Sequence, residues 1–154
     1  MKVLVIISVV VLALVVLFFW FVLRNKSRDV SKTEPYLYIL NADLVTTSEV
    51  MLIENTSFTN VKNEFPSEIS NSRKIDTTRV KNEKIPIGST VTFSRAIHYK
   101  NSTSGMHAAV LLGKVKMKDS QAVHKIVYIW GRFKTMCINE PCMYWEYEKG
   151  FWEN

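Results

Sequence analysis

Three histidines are the residues of this chain best suited to acid–base or metal chemistry: His98, His107 and His124. No HExxH pattern or other recognisable ligand spacing links them. All three fall on predicted strands or strand edges, where a fold could bring them together. We predict three separate surface or half-buried histidines and no metal site. An anchored hydrolase assembled around His98 or His107 is the alternative.

Other catalytic and cofactor signatures are absent from the sequence. There is no Gly-x-Ser-x-Gly elbow, and no two of the five glycines have nucleotide-binding spacing. Glu146 and Glu148 would project from one face of a strand, where a solvated face is the commoner arrangement than an acid–base pair. We therefore predict no catalytic, cofactor-binding or metal-binding residue, and a protein that is not an enzyme.

Cys137 and Cys142 are the only cysteines, and they bracket a four-residue segment that contains Asn139 and Pro141. Asn and Pro favour a turn, so the two Cα atoms could approach to disulfide distance across a hairpin. A persistent disulfide implies an oxidising compartment. Two reduced thiols that happen to be close are the alternative. A zinc site would need two further ligands.

Aromatic side chains are concentrated near the C-terminus. Strand alternation separates Tyr144 from Trp145 and Tyr147, so both faces of that strand carry large rings. One set is expected to fill the core, and the other to form an exposed patch for a partner. The candidate binding patch consists of Trp130, Tyr144, Trp145, Tyr147 and Trp152.

Basic residues are distributed unevenly. The formal net charge is +6, but four net positive charges flank an apolar N-terminal segment, where only Asp29 opposes Lys2, Arg24, Lys26, Arg28 and Lys32. About +2 is left for the rest of the chain, which is too little to predict a nucleic-acid-binding surface. A further row, Lys114, Lys116 and Lys118, could meet anionic groups, but we interpret it as a protected strand edge.

Residues 3–23 are apolar except for Ser8, and none is charged, Gly or Pro. As a helix they would span about 31 Å, the thickness of a bilayer core. Aromatic residues 18–21 precede Arg24 and Lys26, as an interfacial boundary favours. We predict a single-pass anchor in the cell membrane over residues 1–24. A cleaved signal would have a shorter apolar core and small residues at its end.

The side of the membrane on which the domain lies is not determined by the sequence. Arg24, Lys26, Arg28 and Lys32 follow the apolar segment, and the positive-inside rule would place them in the cytoplasm. The basic start followed by an apolar segment is typical of an export signal, and the cysteine pair fits an oxidising compartment. We slightly favour an extracytoplasmic domain.

Beyond the anchor, residues 25–34 have no apolar period and are predicted to be a juxtamembrane linker. Residues 35–154 are predicted to form one β-rich domain, beginning with strands at 36–40 and 49–54. Residues 55–84 are polar, and we predict a long loop with at most one helical turn.

The second half of the domain has clear strand patterns. In residues 90–99, Val91, Phe93, Ile97 and Tyr99 fall on one face, with Arg95 as the single intruder. Further strands are predicted at 107–117, 123–130 and 143–148, joined by turns. Short strands at this spacing predict a small antiparallel β-barrel or β-sandwich.

The sequence therefore favours a membrane-tethered, non-enzymatic binding or adaptor domain for a protein or envelope component. Its expected partners are the lipid bilayer and a protein of unknown identity, with no nucleic acid and no cofactor. A structural subunit of a membrane complex is an alternative, although the helix carries no Gly-x-x-x-Gly face. The anchored hydrolase is the other.

Overall fold

The computed structural model of the chain describes residues 2–24, 26–54, 56, 58, 60–70, 82–137 and 140–153, leaving aside the side chains at 2–5, 137, 140 and 141. The elements are α1 (Lys2–Leu23), β1 (Lys26–Asp29), a 3₁₀ turn (Tyr36–Tyr38), β2 (Asp43–Val45), β3 (Val50–Glu54), β4 (Ser67–Ser70), β5 (Asn82–Ile85), β6 (Thr90–Lys100), β7 (His107–Lys116), β8 (Val123–Cys137) and β9 (Glu140–Tyr147). The prediction of one apolar helix followed by a mainly β domain is confirmed.

Helix α1 is apolar on every side. It has 22 residues, and the segment Ile6–Leu23 has a mean hydropathy of 3.2 with none of it buried. Two cation–π contacts mark its C-terminal end: Arg24 lies 5.5 Å from the centre of the Trp20 ring, and Lys26 lies 5.5 Å from that of Phe21. A helix of this length and composition fits a membrane anchor or a signal sequence.

Three long antiparallel strands, β6, β7 and β8, form the centre of the sheet. The outer edge of β6 pairs with β2 along Thr90–Thr92 and with β1 along Ile97–Lys100. The outer edge of β8 pairs with β4 in parallel and with β9 antiparallel. Beyond β4 lie β3 and then β5. Among the described strands, the sheet of nine is not closed, so it is an open curled sheet rather than a complete barrel.

The prediction that residues 25–34 form a juxtamembrane linker is wrong in part. Within residues 25–34, Lys26–Asp29 form β1 and pair with the end of β6. The strand has no apolar period because all four of its side chains are exposed at the sheet edge. Sequence periodicity therefore could not reveal it.

The prediction that Val91, Phe93, Ile97 and Tyr99 share one face of β6 is wrong. Pairing with β7 shifts between Phe93 and Arg95, which is a β-bulge. The extra residue reverses the alternation, so Val91, Phe93 and Ala96 pack in one core and Ile97 packs in another on the opposite face. Arg95 is consequently exposed.

The prediction of a strand at residues 36–40 is also wrong. Tyr36–Tyr38 form a 3₁₀ turn instead, and Asn41 ends this segment with a φ of 63°. The turn buries the Tyr36 ring to 1% exposure, beneath the sheet. The alternating aromatic and aliphatic residues have the pattern of a strand, but this segment forms a turn in which only the Tyr36 ring is fully buried.

The predicted long loop at residues 55–84 is also corrected in part. It contains β4 and β5, while residues 71–81 lie outside the described part of the structure. A single helical turn is present, closed by a bond from the Phe65 amide to the Val61 carbonyl. Phe58 is fully buried there, and its ring centre lies 4.9 Å from that of Tyr99. This polar segment therefore covers the second core.

Candidate functional site

One face of the sheet carries a row of basic residues across three strands. Lys26 of β1 lies directly opposite Lys100 of β6, and Lys100 lies opposite His107 of β7. Arg28 and His98 occupy the next positions on the same face. Like charges directly opposite each other repel. The two facing lysines therefore repel each other and concentrate positive charge at this end of the sheet.

A second row explains how aromatic rings reach these basic residues. Arg28 lies opposite His98, which lies opposite Ala109; Ala109 lies opposite Gly131, and Gly131 lies opposite Tyr147. The two middle residues are small. A Cβ at Gly131 would lie 2.8 Å from Cδ1 of Tyr147 and 2.9 Å from the Glu146 carbonyl oxygen. The Tyr147 ring therefore packs directly against the backbone of Gly131, which only the absence of a side chain there allows.

The rings of Trp145 and His98 stack on each other although they come from β9 and β6. Their centroids lie 4.0 Å apart and their planes are 27° apart. On its other side Trp145 contacts Phe133 at 5.3 Å, and Phe133 stacks on His107 at 5.8 Å. The two histidines are thus connected through two aromatic rings.

Tyr36 fixes the position of His98 from below. Its hydroxyl is hydrogen-bonded to Nε2 of His98 at 2.7 Å and to the hydroxyl of Tyr147 at 3.1 Å. Its ring also makes edge contacts with Trp130 and Tyr147. His98 is therefore held on one ring nitrogen and one ring face.

These side chains line a groove of about 230 Å³, which we name the basic groove. It is lined by Lys26, Ser27, Arg28, His98, Tyr99, Lys100, His107 and Trp145. None of these eight is acidic. The ion pairs found among the described residues involve Lys84, Arg95, His124 and Lys134, and so none neutralises the cations of the basic groove.

Protonation states follow from burial and from Arg28. Burial is the larger cause of a lowered pKa at His98, and the Arg28 guanidinium lowers this pKa further. Burial likewise raises the pKa of Tyr36, and its hydrogen bond to Tyr147 adds to the rise. At neutral pH the imidazole is therefore neutral and the phenol is protonated. The positive charge of the groove resides on Lys26, Arg28 and Lys100.

A second cavity, of about 520 Å³, lies beside the basic groove at the C-terminal end of α1. We name it the helix-end cavity; it is lined by Phe21, Arg24, Lys26, Ser27 and Asn60. Lys26 and Ser27 line both cavities. The Ser102 hydroxyl also donates to the Arg24 carbonyl at 2.8 Å. The β6–β7 loop is thereby joined to the end of α1.

The predicted aromatic patch divides among three environments. Trp130 is 7% exposed and belongs to the core, which corrects its assignment to an exposed patch. Trp152 also packs inward, with its ring centre 5.6 Å from those of Phe93 and Tyr128. Tyr144 is 47% exposed.

The remaining two members of that patch meet at the basic groove. Trp145 lines the groove itself, and Tyr147 is tied to His98 through Tyr36. Alternation along β9 places both on one face and Tyr144 on the other. Of the five residues predicted to form the patch, the structure therefore brings Trp145 and Tyr147 to His98, which the sequence analysis had treated as a separate residue.

The other predicted residues lie elsewhere. His124 lies 3.9 Å from a carboxylate oxygen of Glu83, apart from the two groove histidines. Lys114 and Lys116 are exposed on β7 at its far end from the groove. No group of three or more His, Cys, Asp or Glu side chains suited to a metal occurs within the described residues.

The cysteine pair lies at the end of the β8–β9 hairpin. The backbone pairs Cys137 with Glu140, and Cys142 is disulfide-bonded. The side chain of Cys137 and the turn residues 138–139 lie outside the described part, so the pairing of Cys137 with Cys142 stays a prediction.

Sequence reasoning missed the basic groove because it assigned Lys26 and Arg28 to the membrane border. The available signal was their spacing of two, which on a strand places both on one face. It also missed Tyr36, whose role depends on contacts with residues far away in sequence.

The comparisons with known proteins add no identification. No family model, curated protein or solved structure matches the chain.

Proposed function

We propose that this chain is a membrane-tethered, non-enzymatic binding domain whose basic groove holds an anionic group of its partner. One observation carries the proposal: three cations without ion-pair partners among the described residues surround the stacked pair of His98 and Trp145. Cations held close together gain most when a bound anion neutralises them. The aromatic ring offers an apolar face to the rest of the ligand.

We propose that α1 tethers the domain to the membrane. Its 22 residues would span about 33 Å as a helix, and the aromatic residues of its last turn precede Arg24 and Lys26. We also propose that the domain lies on the extracytoplasmic side. The disulfide at Cys142 supports this side, because structural disulfides persist in oxidising compartments.

Binding is favoured over the hydrolase alternative by the chemistry of Tyr36 and His98. A phenol with a raised pKa is a poor nucleophile at neutral pH. Nε2 of His98 is already bonded to that phenol, so only Nδ1 is left for a catalytic base. Acidic partners that could orient the imidazole are absent from the described lining of the groove. These features suit a fixed recognition surface.

Photo-crosslinking in intact cells tests the proposal. A benzophenone amino acid replaces His107, which lines the groove directly opposite Lys100 and is not part of the stack of His98 and Trp145. The variant Lys100→Gln removes one groove cation, and Lys116→Gln is the matched control on the neighbouring strand. We expect adducts that disappear in Lys100→Gln and persist in Lys116→Gln. Adducts that are absent, or that do not depend on Lys100, would contradict the proposal.

A further inference from the structure

We infer that the anion held in the basic groove is the phosphodiester of an anionic phospholipid in the leaflet to which α1 leads. This inference rests on the proposed function and names the ligand class of the same site. Its first support is distance. Lys26 follows Leu23 by three residues, which can span at most about 10 Å when fully extended. If α1 crosses a membrane, the first cation of the groove lies at headgroup level.

The second support is continuity between the groove and the helix end. Lys26 and Ser27 line both the basic groove and the helix-end cavity, and the latter also contains Phe21 and Arg24. Phe21 belongs to the last turn of α1, where an aromatic side chain would lie at the border of the hydrocarbon. A lipid whose acyl chains lie beside Phe21 could therefore place its headgroup among Arg24, Lys26 and the groove.

The third support is the hydrogen bond that holds the domain to the helix. The Ser102 hydroxyl donates to the carbonyl of Arg24, which lies immediately after α1. This bond joins the loop between β6 and β7 to the helix end. Lys100 and His107 of the groove flank that loop on its two sides. The groove is thus fixed near the helix end instead of being free on a long tether.

The fourth support is the kind of charge present. Lys26, Arg28 and Lys100 are exposed, and His98 is neutral because burial and Arg28 lower its pKa. A phosphodiester carries one permanent negative charge and several acceptor oxygens, which ammonium and guanidinium groups bind well. Aromatic residues beside cations are typical of proteins at the headgroup region.

Histidine titration offers a direct readout. A phosphate bound between Arg28 and Lys100 would stabilise the imidazolium form of His98 and raise its pKa. The other charged or titratable groups that line the groove with His98 or are joined to it by hydrogen bonds are Lys26 and Arg28 from β1, Tyr99 and Lys100 from β6, His107 from β7, Tyr36 from the 3₁₀ turn and Tyr147 from β9. His107 is the other histidine among them, so the ring resonances of His98 have to be assigned individually.

The experiment uses the full chain in lipid nanodiscs, with the His98 ring resonances assigned by their loss in His98→Gln. The pKa of His98 is measured in discs of neutral phosphatidylcholine and in discs that contain phosphatidylglycerol. The groove variant combines Lys26→Gln, Arg28→Gln and Lys100→Gln. The matched control combines Lys114→Gln, Lys116→Gln and Lys118→Gln, which remove the same charge elsewhere. Should the triple groove variant not fold, Lys100→Gln against Lys116→Gln replaces the pair.

We expect phosphatidylglycerol to raise the pKa of His98 in the wild type and in the control, and this rise to be lost in the groove variant. Comparing the two disc types within each variant cancels the direct effect of removing Arg28. No rise in the wild type, or a rise of equal size in the groove variant, would overturn the inference, the latter showing only the general surface potential.

A soluble anion separates the two proposals. Glycerophosphoglycerol, the phosphodiester headgroup of phosphatidylglycerol without its acyl chains, is added to the neutral discs at the same total phosphate concentration. If it raises the pKa of His98 as much as phosphatidylglycerol does, the lipid inference is overturned while the proposed anion-binding function stands. The crosslinking experiment tests that function independently, since an adduct of any ligand class that depends on Lys100 would support it.

Discussion

His98 and Trp145 lie three strands apart in the sheet, on β6 and β9, yet their ring centroids are 4.0 Å apart. Three steps across a flat sheet would separate their backbones by about 14 Å. Two large side chains can bridge this distance only because the sheet curls and because Ala109 and Gly131 leave room between them. The stack is therefore a product of the long-range fold.

The stability of the domain should fall as the pH falls below that at which an unfolded histidine titrates. The pKa of His98 is lowered in the folded state, by burial first and by Arg28 second. The unfolded chain therefore takes up a proton at a higher pH than the folded one, near the ordinary value of 6.5. The contribution of His98 is complete above this pH, and is lost as the pH falls through the lowered folded pKa.

Thermal unfolding of the full chain in detergent, measured between pH 5 and 8, checks this expectation. Because other groups of the chain contribute to the pH dependence, the quantity to compare is the difference between the wild type and His98→Gln. We expect that difference to shrink as the pH is lowered. Two parallel curves would show that His98 has no altered pKa in the folded state.

Phe58→Ala should destabilise the domain strongly although it lies in a polar segment. The ring is fully buried against Tyr99 and belongs to the second core. Truncation of a buried Phe costs about 3–5 kcal/mol. Denaturant unfolding followed by tryptophan fluorescence measures the loss. Val61→Ala is the control from the same segment, since Val61 is only partly buried, and we expect a smaller loss there. Equal losses would mean that Phe58 does not anchor this segment.

Gly131→Ala should damage the site and the fold together. A methyl group there would lie 2.8 Å from the Tyr147 ring and 2.9 Å from a backbone oxygen. Overpacking of this kind costs about 1–3 kcal/mol. Displacement of Tyr147 would also break its hydrogen bond to Tyr36, so the environment of the His98 ring should change in NMR spectra. An unchanged unfolding free energy together with an unchanged His98 spectrum would contradict the close packing of Tyr147 against Gly131.

Thiol labelling with a membrane-impermeant reagent should locate the domain. The disulfide at Cys142 supports an oxidising compartment, so intact cells should label only after external reduction. Labelling that requires lysis, and needs no reduction, would place the domain in the cytoplasm and make the positive-inside count correct.

Much of the fold could be predicted from local patterns. The apolar run of α1 and the strand patterns of β6 to β9 are properties of neighbouring residues, and these elements overlap the predicted ranges. β8 nevertheless continues past the predicted end at residue 130 to Cys137, and β9 begins at Glu140 instead of residue 143. β1 could not be predicted in this way because an exposed edge strand buries no side chain and so leaves no apolar period. The bulge after Phe93 was likewise hidden, because an extra residue is recognisable only against its partner strand.

The site was harder to predict than the fold. Trp145 and Tyr147 were selected from composition, but Lys26, Arg28 and Tyr36 reach the same place from a segment interpreted as a linker and a segment interpreted as a strand. Their convergence depends on pairing between residues more than sixty positions apart, such as Arg28 with His98. A single sequence does not specify that pairing.

In the proposed site, the face of β9 that carries Trp145 contacts the ligand, and the face that carries Tyr144 does not. The most direct test measures the adduct formed by the crosslinker at position 107 in Trp145→Ala and in Tyr144→Ala, with thermal unfolding as the check that both variants fold. The basic groove predicts that the adduct is lost in Trp145→Ala and retained in Tyr144→Ala. Retention in folded Trp145→Ala, or an equal loss in both variants, would contradict the account.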